Sequence, residues 1–155
     1  MDVVTFSVEA FDNRHASVLA VSPLVNDLRL TYLIAEYEKV RKYEPAGGYG
    51  AIIPKWFDYR PLDRYFLGEH ERDGYWSKRG GIYLLGCQCG EVGCWPLLCH
   101  IRNEGARVIW EGFQQPHRKE RDYSRFGPFV FEVAQNRSAL LSLVSEMSER
   151  SPDLA

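Results

Sequence analysis

Hydrophobic and polar residues alternate in the first part of the chain. From residue 4 to residue 9 every apolar side chain is followed by a polar one, and this period of two is typical of a β-strand with one buried face. We therefore expect a strand over residues 3–11. A polar turn at residues 12–14 and an apolar, β-branched stretch at residues 17–22 follow. Together they predict a β-hairpin.

The spacing of apolar residues changes to three and four in the next segment. The apolar positions are Leu30, Leu33, Ile34, Tyr37 and Val40. Such spacing places them on one buried stripe of an amphipathic helix, with the charged residues between them, Glu38 included, on the solvent side. We expect this helix to cover residues 27–43, with Asp27 as its N-terminal cap.

Four short apolar runs lie in the second half of the chain, at residues 82–86, 95–102, 107–113 and 129–133. A turn at residues 103–105 predicts a hairpin between the second and third runs. A last amphipathic helix is predicted over residues 136–150. This order of elements predicts one α+β domain over residues 1–155, with an antiparallel sheet of about five or six strands and two main helices packed on one face.

Residues 44–81 show neither period. The segment is rich in glycine, with a short helix predicted over residues 61–67 and ended by Gly68. Its aromatic residues are Tyr49, Trp56, Phe57, Tyr59, Tyr65, Phe66, Tyr75 and Trp76. Long irregular segments in compact domains are often binding loops. The alternative is that these aromatic side chains form a small core that pins the segment to the sheet.

Composition narrows the class of partner. The 155 residues carry a formal net charge of −2 and 45% hydrophobic residues. No basic excess indicates a nucleic-acid partner, and no apolar run is long enough to span a bilayer. We expect a cytoplasmic protein whose four cysteines are reduced thiols, with a protein or a small molecule as its partner.

The most distinctive motif is the cysteine turn, residues 86–94, with the sequence GCQCGEVGC. Cys99 and His100 follow it and suggest a zinc site at first sight. Because a strand advances about 3.3 Å per residue, Cys99 should lie roughly 16 Å from Cys94. That distance is too long for two ligands of one metal ion. Cys99 is therefore expected in the core, on the same face as Leu97 and Ile101.

The predicted hairpin brings a different histidine to the cysteine turn. If Arg102 pairs with about Arg107, Cys94 lies opposite Gln114 or Gln115. The segment QQPHR, residues 114–118, then returns to the mouth of the turn. His117 becomes the histidine expected to approach the cysteines.

Three hypotheses fit Cys87, Cys89, Cys94 and His117. They could bind zinc as three thiolates and an imidazole. One thiol could act as a nucleophile with His117 as its base, while Glu91, Gln114 and Gln115 orient a substrate or partner. The cysteines could also simply fill a glycine-rich turn. The sequence leaves all three open.

The stretches GCQCGEVGCWPL, VIWEGFQQPHR and FGPFVFE resemble a group of uncharacterised bacterial proteins that share the pattern GCxCGxxGCWPL…QPHR. The resemblance implies no activity. From the residues we expect a binding or interaction protein with a cysteine-rich turn near His117. The alternative is a small cysteine- or zinc-dependent enzyme that uses Cys87, Cys89 and Cys94 with His117.

Overall fold

A computed structural model provides the structure of the protein and describes residues 1–12, 17–69 and 81–154. The described chain contains two antiparallel sheets and three α-helices, which confirms the predicted α+β class. The strands are β1 (Val4–Asp12), β2 (Ser17–Val25), β3 (Leu28–Arg29), β4 (Tyr49–Gly50), β5 (Gly81–Cys87), β6 (Leu97–Glu104), β7 (Arg107–Gln114) and β8 (Phe129–Glu132). The helices are α1 (Leu30–Val40), α2 (Leu62–Tyr65) and α3 (Val133–Arg150).

The strands are divided between two sheets rather than joined in one. The first sheet has the order β1-β2-β3 and the second the order β4-β5-β6-β7-β8. An isolated bridge between Val21 and Ile52 links β2 to the chain after β4, and another between Asp2 and Phe131 links the chain before β1 to β8. Alternating hydrophobicity identifies a strand but not its partner, so the sequence could not show this division. The predicted turn at residues 12–14 lies mostly outside the described residues.

The expected start of the first helix was wrong. Asn26 and Asp27 have φ angles of +53° and +66°, and Val25 pairs with Leu28. Two residues at positive φ between paired strands form a tight hairpin turn, for which Asn and Asp are suited. Asp27 therefore belongs to the turn between β2 and β3, and α1 begins three residues later at Leu30.

The buried face of α1 also differs from the prediction. Leu30, Ile34 and Glu38 are buried, while Val40, expected in the buried stripe, is 81% exposed. These three buried residues are spaced by four, so they lie on one face of the helix. Glu38, which the pattern placed in solvent, is fully buried.

The aromatic residues of segment 44–81 mostly belong to the main core. Tyr49, Tyr59, Tyr65 and Phe66 are buried among residues of both sheets and α3. The hydroxyl of Tyr65 also donates to the carbonyl of Tyr83 at 2.8 Å. Tyr75 and Trp76 lie outside the described residues. The described aromatic side chains thus support the packing alternative, and this removes the main reason for expecting a binding loop there.

The last helix begins at Val133, three residues before the predicted start, and buries Leu140, Leu143 and Met147 as expected. The short helix α2 is also close to its predicted position, and Gly68 follows it at a φ of +74°. Within the described ranges no helix is long and apolar enough to cross a membrane.

Candidate functional site

The cysteine turn connects β5 to β6. β5 ends at Cys87, which pairs with Tyr49 of β4. The N–H of Gly90 donates to the carbonyl of Cys87 at 3.0 Å and reverses the chain. A one-turn 3-10 helix, Val92–Cys94, then leads into β6. Both ends of the turn are therefore fixed by backbone hydrogen bonds.

Residue 90 has to be glycine because of its backbone conformation and because of the side chains packed against it. Its φ is +98°, a conformation that L side chains rarely adopt. A Cβ atom at this position would lie 2.8 Å from Cζ3 of Trp56 and 3.1 Å from Cζ of Phe11. Two aromatic rings thus pack directly on the main chain of the turn, next to Cys89.

Three thiols gather at this turn, and the fourth is elsewhere. Cys89 and Cys94 are exposed and Cys87 is half-buried. The thiol of Cys89 interacts with those of both Cys87 and Cys94, and its N–H donates to Sγ of Cys87 at 3.4 Å. Cys99 is 2% exposed on β6, as the strand geometry predicted.

The three thiols differ in their acidity. A hydrogen bond with the backbone of Glu91, followed by those with Cys87 and Cys94, lowers the pKa of Cys89 below its ordinary value. Burial raises the pKa of Cys87, and the hydrogen bond with Cys89 raises that of Cys94. Since the thiolate is the reactive form, the lowered pKa favours Cys89 as the reactive thiol of the three.

The three thiols contact one another in pairs but do not form a metal-binding cluster. Among the described residues, no three His, Cys, Asp or Glu side chains converge on a position that could hold a metal ion. A tetrahedral zinc site needs its thiolates and imidazole around one point. The geometry thus gives the zinc hypothesis no direct support.

The structure places His117 at the cysteine turn, but through the backbone. Its Nε2 lies 2.8 Å from the carbonyl oxygen of Gly93. Because a carbonyl oxygen can only accept, Nε2 carries the hydrogen of this bond. In this arrangement Nε2 is not free to bind a metal ion or to take a proton from a thiol. His117 also stacks on Trp95, with ring centroids 6.4 Å apart.

The register that led to His117 was only approximately right. Glu104 pairs with Arg107 across a two-residue turn, so Arg102 lies opposite Ile109 and not Arg107. Gly112, at a φ of +65°, accompanies a further shift of register in β7. Gly105, with a φ of +60°, permits the tighter turn. The prediction paired Cys94 with Gln114 or Gln115 and brought His117 towards Cys87, Cys89 and Cys94. In the folded chain Gln114 pairs with Leu98, and the side chain of His117 contacts the carbonyl of Gly93.

Of the expected substrate contacts, Gln115 has a structural role. It is 1% exposed, and its Nε2 donates to the hydroxyl of Tyr49 at 3.1 Å and to the carbonyl of Pro96 at 3.0 Å. Its side-chain amide therefore faces the interior and cannot contact a partner. Gln114 lies exposed at the end of β7 and pairs with Leu98 of β6. Glu91 is exposed within the turn.

Next to the cysteine turn, the structure contains a buried polar network that the sequence did not predict. Its centre is the carboxylate of Glu38, which is fully buried. The donors to Glu38 are the N–H of Gly47 (2.8 Å), the hydroxyls of Tyr49 (2.9 Å) and Tyr123 (2.5 Å), and Nη1 of Arg121 (3.1 Å). Arg121 also donates to the carbonyl of Pro45 at 2.8 Å. The buried charge is thus both paired and fully hydrogen-bonded.

The buried network is linked to the cysteine turn through Tyr49. Tyr49, which donates to Glu38, is the strand partner of Cys87. Burial, followed by the hydrogen bond to Glu38, raises the pKa of Tyr123 to about 12, and burial raises that of Tyr49 further. Both hydroxyls therefore remain protonated donors at neutral pH. The one sequence signal for Glu38 was its spacing of four from Ile34.

The arrangement can perform thiol chemistry. An exposed, acidified thiol has a second thiol on each side, in a turn whose backbone is held by hydrogen bonds to β4 and by His117. Thiols gathered in one turn are the arrangement that thiol–disulfide chemistry uses.

Neither a scan against protein-family models nor searches of curated proteins and of solved structures return a match to this chain. The resemblance to an uncharacterised bacterial group therefore stays a prediction, and function has to be inferred from the site itself.

Proposed function

We propose that this protein carries out thiol–disulfide exchange at the cysteine turn, with Cys89 as the nucleophile. One observation carries the proposal: three thiols lie within residues 87–94, with Cys89 and Cys94 exposed and the N–H of Cys89 3.4 Å from Sγ of Cys87. Exchange needs an accessible attacking sulfur and a second sulfur within reach. The lowered pKa of Cys89 supports this assignment.

The reaction balances as a two-electron transfer. The Cys89 thiolate attacks one sulfur of a partner disulfide, whose S–S bond breaks and releases the other half as a thiolate that takes up a proton. Cys94 then loses its proton and attacks Sγ of Cys89. A Cys89–Cys94 disulfide forms, and the second half of the partner leaves as a thiol. The two cysteines are oxidised and the partner disulfide is reduced; a dithiol from a reducing partner reverses the reaction.

Cys94 suits the resolving role better than Cys87. Cys94 is exposed on a one-turn 3-10 helix, whereas Cys87 is half-buried and paired with β4. A Cys89–Cys94 disulfide closes a loop that contains Gly90, whose backbone is already reversed. A Cys87–Cys89 disulfide would close a loop over one intervening residue. A cytoplasmic location, as expected from the sequence, would keep the resting site reduced.

Zinc binding by Cys87, Cys89, Cys94 and His117 is the alternative proposal. The donor types suit zinc, and with Nε2 of His117 bonded to Gly93 the other ring nitrogen, Nδ1, would be the ligand, but the thiols would have to converge. The binding or interaction protein expected from the sequence is a further candidate. It is favoured by Trp56, a large apolar side chain of segment 44–81 that is 44% exposed.

The test uses the reduced full-length chain and hydroxyethyl disulfide, a small uncharged oxidant. We expect peptide mapping by mass spectrometry to find a Cys89–Cys94 disulfide. The Cys94→Ser variant should instead retain a mixed disulfide on Cys89, and Cys89→Ser should react much more slowly. Cys99→Ala is the control, since Cys99 is buried away from the turn, and it should behave as the unaltered chain does.

Two results would overturn the proposal. In the first, no cysteine of the native protein exchanges faster than free cysteine. In the second, protein purified without a histidine tag contains about one zinc ion per chain, and a chelator must remove it before any thiol reacts. The second result would establish the zinc proposal instead.

A further inference from the structure

An aromatic pair lies beside the reactive thiol. The rings of Phe11 and Trp56 meet edge to face, with centroids 5.8 Å apart, and both contact the backbone of Gly90. Phe11 also packs against the small cluster of Val18, Ala20 and Ile53. Trp56 therefore has a fixed support on one side, although 44% of its surface is exposed. A supported, exposed indole is a favourable surface for another apolar side chain.

The aromatic pair packs against the residue next to Cys89, so a peptide bonded to Cys89 lies beside the pair. Trp56 packs on Gly90, the residue that follows Cys89. A partner cysteine bonded to Cys89 would place its own neighbouring residues about 3.3 Å farther along per residue. A side chain one or two residues from the partner cysteine can then reach the indole.

The charge beside the thiols favours one kind of peptide. Glu91 is exposed in the turn, and its carboxylate acts to raise the pKa of both Cys89 and Cys94. Along the turn Glu91 lies two residues after Cys89 and three before Cys94, so its negative charge is close to both cysteines. A partner with carboxylates beside its disulfide meets repulsion, and one with a basic residue meets attraction.

We infer that the partner of the cysteine turn is an extended peptide segment whose disulfide cysteine is flanked by an aromatic and a basic residue. This inference rests on the proposed thiol–disulfide exchange and assigns its substrate class. Trp56 acts as the specificity-determining residue, because it contacts the flanking aromatic side chain. An aromatic pair of this kind contributes about a five- to tenfold preference.

The probes are short peptides whose cysteine is joined in a disulfide to thionitrobenzoate, a chromophore released on attack. One peptide carries Lys and Phe before the cysteine, a second carries Lys and Ala, and a third carries Glu and Phe. The rate of chromophore release by the reduced full-length protein gives the rate constant for each. We expect the first peptide to react about five- to tenfold faster than the second, and faster than the third.

Substitutions test whether Trp56 causes the preference for a peptide with Phe over one with Ala. Trp56→Ala should remove the preference for Phe over Ala, measured as the ratio of the two rate constants within that variant, and Trp56→Phe should keep most of the preference. Leu141→Ala removes another exposed apolar side chain, on α3, and should change neither rate. Circular dichroism of each variant checks that the fold is retained.

The inference and the proposed function fail differently. Equal rates with the first two peptides, or a preference that survives in Trp56→Ala, would overturn the inference and leave the exchange activity standing. If hydroxyethyl disulfide and all three peptides fail to react at Cys89, both are wrong.

Discussion

Nε2 of His117 lies 2.8 Å from the carbonyl oxygen of Gly93 and joins the end of the β6–β7 hairpin to the cysteine turn. The bond orients the ring so that its donor faces the backbone and not a thiol. The N–H of His117 in turn donates to the side-chain oxygen of Gln115 at 3.1 Å. His117 is thus a positioning residue, one that holds the 3-10 helix of the turn.

Replacing His117 with Ala should loosen the turn without removing a base. We expect a loss of about 1 kcal/mol in the free energy of unfolding, because one hydrogen bond and one ring contact disappear. The alkylation rate of Cys89 should keep the same dependence on pH. Urea unfolding and iodoacetamide kinetics measure the two effects. A large fall in the Cys89 rate at neutral pH, recovered at high pH, would instead identify His117 as a base.

The pKa shifts predict an order of thiol reactivity. The thiolate is the form that reacts, so a lowered pKa gives a larger reactive fraction at neutral pH. Cys89, whose pKa is lowered, should be alkylated first, and Cys87 and Cys94, whose pKa values are raised, more slowly. Burial raises the pKa of Cys99 well above its ordinary value and also blocks access, so Cys99 should react last.

The pH dependence has a definite sign. As the pH falls, the Cys89 rate should fall with a midpoint below the ordinary thiol value, because the pKa of Cys89 is lowered. The rates of Cys87 and Cys94 should fall with midpoints above it. Mass spectrometry of peptides after timed iodoacetamide pulses follows each site separately. Equal midpoints for the three cysteines would contradict the prediction.

The buried carboxylate of Glu38 should be important for stability. Glu38→Gln keeps the shape of the side chain but leaves the charge of Arg121 buried without its partner. The amide nitrogen also cannot accept from the tyrosine hydroxyls. We expect a loss of about 3 kcal/mol in the free energy of unfolding.

Glu36, on the same helix α1, provides a matched control for the Glu38→Gln substitution. Glu36 is exposed and forms an ion pair with Lys39 at 3.3 Å. Glu36→Gln should cost less than about 0.5 kcal/mol, because exposed ion pairs contribute little. Urea unfolding of both variants gives the comparison. Similar values for the two would show that the buried network does not stabilise the fold.

Gly90 and Gly105 provide a second matched pair. Both have a positive φ, +98° and +60°, but a Cβ atom on Gly105 would meet nothing within 4 Å. Gly105→Ala should cost about 1 kcal/mol from backbone strain. Gly90→Ala adds an overlap with Trp56 and a less favourable φ, so its cost should be about 3 kcal/mol. An equal cost at both positions would mean that Trp56 moves aside freely.

Local patterns in the sequence predicted most elements of the fold. Alternation over residues 4–9 indicated β1, and the spacing of Leu140, Leu143 and Met147 indicated α3, since each pattern reflects the period of its own element. The errors came from turns. Asn26 and Asp27 favour a tight hairpin as well as a helix cap, and only pairing of the flanking strands chooses between them.

At the cysteine turn, too, the sequence predicted some features and only the folded chain decided others. The sequence determined the separation of Cys99 from the other cysteines, because the rise of a strand is nearly constant. It also brought His117 near the turn, because a hairpin must return. The bond from His117 to Gly93 depends on how β6 and β7 are paired, and the conformations of Gly105 and Gly112 shift that pairing. The bond could therefore be identified only in the folded chain.

The sequence by itself thus determined most of the longer strands and helices and that three cysteines share one turn, since these follow from local periodicity and spacing. Tertiary structure decided that Glu38 is buried, that Gln115 faces inward and that Trp56 packs on Gly90. Each of these contacts joins residues distant along the chain. Whether such a side chain is buried or exposed depends on what packs against it, and that is fixed only when the whole chain folds.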